Sequence, residues 1–184
     1  LGATLVADPR VDKVSFTGDT STGTSILTAA AANITRVSLE LGGKSAAVVF
    51  ADADIAAAAA DIPISVFANA GQDCCARSRV LVQHSVMAEF TDAMVERTRA
   101  LRVGDPTDPE TEIGPMISAG QRSQAVDYVG VGTADGATLA IGGQTTDPGY
   151  FMNPAVLTGV ANDSRVGQEE IFGPAAAVIG FDDE

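Results

Sequence analysis

The sequence has no tryptophan, one histidine and two cysteines, and aromatic residues fill only 5% of its 184 positions. The two cysteines, Cys74 and Cys75, are adjacent. They do not supply the spaced framework of a disulfide-stapled domain, and they fit a reducing, cytoplasmic setting. With His84 as the lone imidazole, the spacing of a closed zinc site is missing, and no metal site is expected. His84 is also the sole base for a cysteine–histidine hydrolytic dyad, and it falls at an expected strand end. Basic residues are scarce too: 11 Lys and Arg stand against 24 Asp and Glu, a net charge of −13. Nucleic-acid binding draws on counterion release at a basic face, and an anionic membrane surface draws on the same charge. Neither partner is expected. No apolar run approaches the roughly 18 residues of a membrane-spanning helix. No secretory pattern opens the chain. The sequons Asn33-Ile34-Thr35 and Asn162-Asp163-Ser164 are therefore discounted.

What is present is a globular composition, 46% hydrophobic and 19% charged, with about one domain's length of chain. Strand and helix signals alternate. Val11, Val14 and Phe16 form an apolar run ended by Gly18, and a helical stretch is predicted from about Thr22 to Ala32. Val37–Leu41 and Ala46–Phe50 read as strands around Gly42-Gly43. Asp52-Ala53-Asp54 can cap an alanine-rich helix reaching about Asn69, which Pro63 should kink or split. Ser78–Gln83 reads as a strand, and His84–Leu101 as a helix with Val86, Phe90, Met94 and Leu101 at helical spacing. A loop from Gly104 to Pro115, a helix from about Ala119 to Val131, and strands at Thr138–Ile141, Ala155–Val160 and Ala175–Phe181 complete the pattern. Such alternation implies an α/β fold with a mostly parallel sheet flanked by helices. The one candidate boundary is Gly42-Gly43.

Three stretches carry possible chemistry. Phe16-Thr17-Gly18-Asp19-Thr20-Ser21-Thr22-Gly23 places glycines between a strand and a helix start, where free N–H groups hold phosphates. The same residues also read as a plain turn with Asp19 capping the helix, and that carboxylate would repel a phosphate. Glu40 lies between two leucines; burial would raise its pKa and suit a general base, whereas a surface glutamate at a strand end would not be perturbed. Cys74 and Cys75 precede Arg77 and Arg79, whose charge would favour a thiolate nucleophile. Cysteine is equally a common small core residue.

Taken in order, the stretches Val11–Gly18, Leu39-Glu40-Leu41-Gly42-Gly43-Lys44-Ser45, Gly71-Gln72-Asp73-Cys74, Val103–Pro106, Gly114-Pro115, Gly149-Tyr150-Phe151 and Glu169-Glu170-Ile171-Phe172-Gly173-Pro174 resemble the aldehyde dehydrogenase superfamily across essentially the whole chain. Glu40 precedes Cys74 by the family's usual interval. The resemblance implies an oxidation of a small-molecule aldehyde to a carboxylic acid with NAD or NADP. Cys74 matches the nucleophile: it would attack the aldehyde carbon, and the thiohemiacetal would lose hydride to the nicotinamide and leave a thioester. Cys75 would be a structural neighbour. Glu40 matches the base that activates the hydrolytic water, and the Cys74 N–H would supply half of an oxyanion site. Gly18, Asp19, Thr20, Ser21, Thr22 and Gly23 match the segment beside the cofactor pyrophosphate. Leu41 and Gly42 would lie near the nicotinamide. Glu170 would accept from the nicotinamide ribose hydroxyls, Phe172 would border the same ring, and Gln121 matches a ribose-contacting position of some members. Asp19, Pro63 and Arg77 depart from the usual pattern.

The resemblance further implies that residues 1–43 are the tail of a nucleotide-binding domain and 44–184 a truncated catalytic domain. The family's chains are more than twice as long. The asparagine completing the oxyanion site, and the residues choosing NAD or NADP, would lie upstream of Leu1; an oligomerisation strand would lie beyond Glu184. A homodimer or homotetramer is expected at full length, and no turnover from these residues alone. The alanine-, glycine- and aspartate-rich composition is associated with GC-rich bacterial genomes. Two alternatives stand beside this reading: a coenzyme-A-acylating enzyme, which Glu40 disfavours, and a folded domain without activity.

Overall fold

The computed structural model describes residues 1–183 and divides into two compact units, Leu1–Gly43 and Lys44–Glu184. The first unit holds helix α1 (Gly2–Val6), strand β1 (Lys13–Gly18), helix α2 (Thr20–Ala31) and strand β2 (Arg36–Leu41). The strands pair in parallel, with Lys13 opposite Arg36 and Gly18 opposite Leu41. Glycine at position 23 lets α2 settle onto β2: a Cβ there would lie 2.8 Å from a Leu41 methyl and 3.5 Å from one of Leu39. The two leucines therefore face the helix, and Glu40, at the intervening position of a pleated strand, points the other way and is exposed.

The second unit is built on strands β3 (Ala46–Val49), β4 (Arg79–Gln83), β5 (Thr138–Ile141), β8 (Ala155–Thr158) and β9 (Ala175–Phe181), in the order β3-β4-β9-β8-β5. All neighbours are parallel except the β5–β8 pair at the edge. A two-residue ribbon, β6 (Thr145–Thr146) and β7 (Phe151–Met152), pairs separately. Central β9 buries its first five residues, Ala175 to Ile179, as an unbroken apolar run does when a parallel strand is covered on both sides. On β4, Val80 and Val82 are buried on one face.

Helices α3 (Ile55–Phe67) and α4 (Met87–Arg99) pack on each other, and α5 (Ala119–Ala134) packs against β5 and β8; α6 (Arg165–Gln168) is a single turn. Asp54 caps α3 by accepting from the Ala57 N–H at 3.0 Å. Of the predicted kink or split at Pro63, the split does not occur. One helix runs through the buried proline, and Val66 and Phe67 on its far side are carried fully into the core. The long helix predicted from His84 begins instead as a 3-10 turn, His84–Val86, before α4. Phe90 and Met94 take the core positions that their spacing implied. Among the described residues no helix is long and apolar enough to cross a membrane.

Candidate active site

Cys74 lies on the loop between α3 and β4. That loop opens with a tight reversal in which Asn69 and Ala70 take positive φ (53° and 55°) and Gly71 follows at 69°. Only glycine fits position 71 for a second reason: a Cβ there would stand 2.2 Å from the Gly173 carbonyl oxygen. The backbone before Cys74 is thus pressed against the turn after Phe172. Gln72 fastens the reversal. Its Nε2 donates to the Asn69 carbonyl at 3.1 Å, and Asn69 Nδ2 donates to the Gln72 carbonyl at 2.9 Å. Its Oε1 accepts from the Ile117 N–H at 2.9 Å.

Both cysteines are exposed, so neither is the small core residue that cysteine often is. Their sulfurs are 3.9 Å apart, and the Cys75 N–H donates to the Asp73 carboxylate at 2.9 Å. The expected lowering of the thiol pKa is not found. Hydrogen bonding and charge from Cys75, with the nearby Asp73 carboxylate, push Cys74 above the ordinary thiol value. Arg77 is exposed and does not offset them. Asp73, Cys74 and Cys75 place one oxygen and two sulfurs within 4.8 Å of one another, on three exposed consecutive residues. The other candidate partner, His84, sits at the opposite end of β4, where Nδ1 lies 2.8 Å from Asp182 Oδ1. It is not placed to serve as a base for Cys74.

Glu170 and Phe172 lie on the loop between α6 and β9. Glu170 is half-buried, and its Oε1 is buried without a hydrogen-bond partner. An unpaired carboxylate oxygen in this position costs free energy unless a donor arrives. It fits a ligand hydroxyl, the group that a ribose presents. Lys44 Nζ and Arg79 Nε are likewise buried and unpaired. Burial, then repulsion from Arg79, lowers the Lys44 pKa to about 8, against a pull upward from Glu170 and Glu169. Phe172 is exposed and holds a left-handed φ of 52°. Gln121, in the first turn of α5, donates Nε2 to the carbonyls of Ile171 (3.2 Å) and Phe172 (2.9 Å). Its side-chain amide thus bridges two protein carbonyls. A separate open depression of about 480 Å³, lined by Ser123, Asp127, Tyr128 and Arg165 among others, includes none of the predicted residues.

The remaining predicted residues belong to the first unit. Asp19 caps α2, accepting from the Ser21 and Thr22 N–H groups at 2.8 and 3.3 Å and from the Ser21 hydroxyl at 2.5 Å. Those bonds hold its carboxyl below the usual range. The N–H groups at this helix start thus already have an anion. Thr20 begins the helix, Gly18 accommodates the Phe16 ring, which a Cβ would approach to 2.6 Å, and Gly42 is exposed. Glu40 is exposed in this unit. Its flanking leucines signalled a covered helix-facing side, and the alternation of the strand puts the glutamate on the other.

Sequence reasoning gave no role to Gln72 or Lys44, although both stood inside motifs already singled out, and it read Arg79 only as a charge near Cys74; their bridging or buried atoms are what distinguish them.

The Aldehyde dehydrogenase family profile matches residues 1–184. The chain is 43% identical over 189 residues to a betaine aldehyde dehydrogenase of Mesorhizobium japonicum, covering 100% of this chain and 39% of that protein. It is 43% identical over 187 residues to a betaine aldehyde dehydrogenase of Rhizobium leguminosarum bv. trifolii, covering 38% of it. Among solved structures, a betaine aldehyde dehydrogenase of Staphylococcus aureus in complex with NAD+ superposes with a TM-score of 0.95 at 40% identity, covering 99% of this chain and 37% of that one. HpcC of Thermus thermophilus superposes with a TM-score of 0.95 at 41% identity, covering 99% and 37%. The chain spans about two fifths of the length of the curated relatives it matches.

Proposed function

The chain belongs to the aldehyde dehydrogenase family, and from that premise we propose that it carries the thiol centre of an enzyme oxidising an aldehyde to a carboxylic acid. The observation that carries the reading is the packing of the Cys74 loop on the Phe172 turn, Gly71 against Gly173, which joins two family motifs far apart in sequence. Cys74 is the nucleophile: its sulfur bonds to the aldehyde carbon, and its own N–H steadies the resulting oxyanion. Bound NAD(P)+ supplies the hydride acceptor, leaving an acyl group on Cys74. Glu40 is the base that takes a proton from the water that releases the acid. Glu170 offers its unpaired oxygen to a ribose hydroxyl, and Phe172 borders the nicotinamide ring. Gly18 to Gly23 with Leu41 and Gly42 line the pyrophosphate and nicotinamide side. Residues 1–43 act as the tail of a nucleotide-binding domain, and 44–184 as a catalytic one.

A raised thiol pKa does not contradict this role. A positively charged cofactor ring beside the sulfur would favour the thiolate. The relatives' names make betaine aldehyde the first substrate to try. The reading carries with it a reducing, cytoplasmic setting and a homodimer or homotetramer at native length.

The test is NADH or NADPH formation by the native-length polypeptide carrying this sequence, over a panel of aldehydes with each nucleotide. Turnover is expected, and Cys74→Ser should abolish it. Glu40→Gln should stall acid release after a burst of reduced nucleotide. A Cys74 that resists iodoacetamide even with NAD+ bound, together with no turnover, would replace the reading with a domain without activity.

A further inference from the structure

Two irregular segments of the second unit meet at Gly71 and Gly173. One is the Asn69–Gly71 reversal, with three consecutive positive φ values; the other is the Phe172 turn. A left-handed phenylalanine or alanine persists only where the surroundings hold it. Each segment is held by a glutamine, and both glutamines grip the same short strut. Gln72 accepts from the Ile117 N–H at 2.9 Å. The Ser118 hydroxyl then caps α5 by accepting from the Gln121 N–H at 3.2 Å. Three residues further on from Ser118, Gln121 Nε2 bridges the consecutive carbonyls of Ile171 and Phe172 at 3.2 and 2.9 Å. A primary amide suits this task because its two hydrogens can serve two adjacent acceptors. Gly173 lies under the same helix, where a Cβ would stand 2.6 Å from Ala125 Cβ.

We propose that Gln72 and Gln121 are positioning residues that tie the Cys74 loop and the Glu170–Phe172 segment to opposite ends of the Ile117–Gln121 strut, so that nucleophile and cofactor segment keep one register. The proposal rests on the reading of Cys74 as nucleophile and of Glu170 and Phe172 as cofactor-facing. It goes beyond that reading in giving Gln121 a protein-binding role. Because the ties are mutual, loosening either segment must loosen the other.

The experiment uses the native-length polypeptide in a Cys75→Ser background, so that a single thiol of the pair reports. Amide hydrogen exchange is followed at 70–75 and 171–174, with the iodoacetamide rate at Cys74 and the NAD+ KM and kcat. Gln121→Glu keeps the shape but turns a carboxylate toward two carbonyl oxygens. It should speed exchange about tenfold in both segments, as loss of the two bonds to the Ile171 and Phe172 carbonyls predicts. It should change the alkylation rate severalfold and raise KM more than it lowers kcat. Gln121→Met, which removes the donors without adding charge, should do the same more mildly. Gln72→Met should loosen 171–174 from the far end. Faster exchange confined to the mutated end, with Cys74 alkylating at the parental rate in both Gln121 variants, overturns the proposal. Exchange and alkylation need no turnover, so an inactive parent would sink the functional reading while these measurements still decide the tie.

Discussion

Within these residues the two compact units differ in how much they bury. In Leu1–Gly43 only Val6, Gly23 and Ala30 are buried, and Leu1, Leu5, Leu27 and Ile34 stand exposed. In Lys44–Glu184 a continuous apolar cluster runs from Val49 to Ile179 through five strands and the helices on them. A two-stranded pair with one long helix and the short α1 does not bury enough apolar surface to be stable by itself, whereas a five-stranded sheet with a covered centre does. The lesson concerns the predicted site residues. Cys74, Gln121, Glu170 and Phe172 are positioned by a framework held together by its own core. Glu40 and Asp19 sit on a two-stranded pair that buries little within these residues.

The largest effect that sharpens this contrast is core truncation. Phe90→Ala, at a fully buried position of α4, should destabilise the second unit by about 3–5 kcal/mol in urea unfolding. Leu39→Ala, on half-buried β2, should cost about 1 kcal/mol or less, since little cavity forms where water already reaches. Equal costs would erase the distinction between the units. Next comes the glycine pair. Gly71→Ala forces a Cβ to 2.2 Å from a backbone oxygen at a left-handed φ and should cost about 3 kcal/mol. Gly23→Ala meets only the tip of a leucine, which can turn aside, and should cost about 1 kcal/mol.

How much of this was legible in the sequence also divides along the same line. Where an element's role is set by its own apolar pattern, the pattern sufficed. The unbroken run at Ala175–Phe181 gave the central strand, and Val80 with Val82 gave the buried face of β4. The fold class and the family followed from motifs in order. Orientation was not legible: nothing within Thr138–Ile141 says that β5 runs antiparallel to β8, because that is decided by its partner. Nor was the left-handed Ala70, whose conformation answers to the Gly173 backbone against its neighbour rather than to any preference of alanine. Glu40 was read by its neighbours' apolarity, which on a strand describes the opposite face. Asp19 was read both as a cap and as an obstacle to phosphate, and the cap is what its hydrogen bonds make.

Lys44 tests the second unit through pH. Burial and Arg79 depress its folded pKa to about 8, while the unfolded side chain keeps the ordinary value of 10.5. Between those values the unfolded chain binds a proton that the folded chain does not, so stability must rise with pH across that window. Below about pH 8 the lysine is charged in both states, and its burial penalty is felt in full. Measured against Lys44→Met, the parental chain should gain stability from pH 8 to 10.5 and be relatively flat below. A difference that stays constant over the window would show that Lys44 is as well solvated folded as unfolded.

The smallest effect is at Asp19, and it probes the first unit alone. Its folded pKa lies below the ordinary value because the Ser21 hydroxyl and the Thr22 and Ser21 N–H groups donate to it. The cap is therefore fully present above the unfolded carboxyl value and is lost as pH falls through the lower folded one. Asp19→Asn retains an acceptor without the titration, so amide exchange in the first turn of α2 should lose its acid sensitivity while near-neutral protection changes little. The same variant removes the charge that occupies this helix start. If the segment 18–23 faces a cofactor pyrophosphate, as proposed, Asp19→Asn at native length should tighten NAD+ binding modestly, because a phosphate and a carboxylate compete for the same N–H groups. An unchanged NAD+ affinity, with the acid sensitivity gone, would mean that the cap serves the helix only and that the pyrophosphate lies elsewhere.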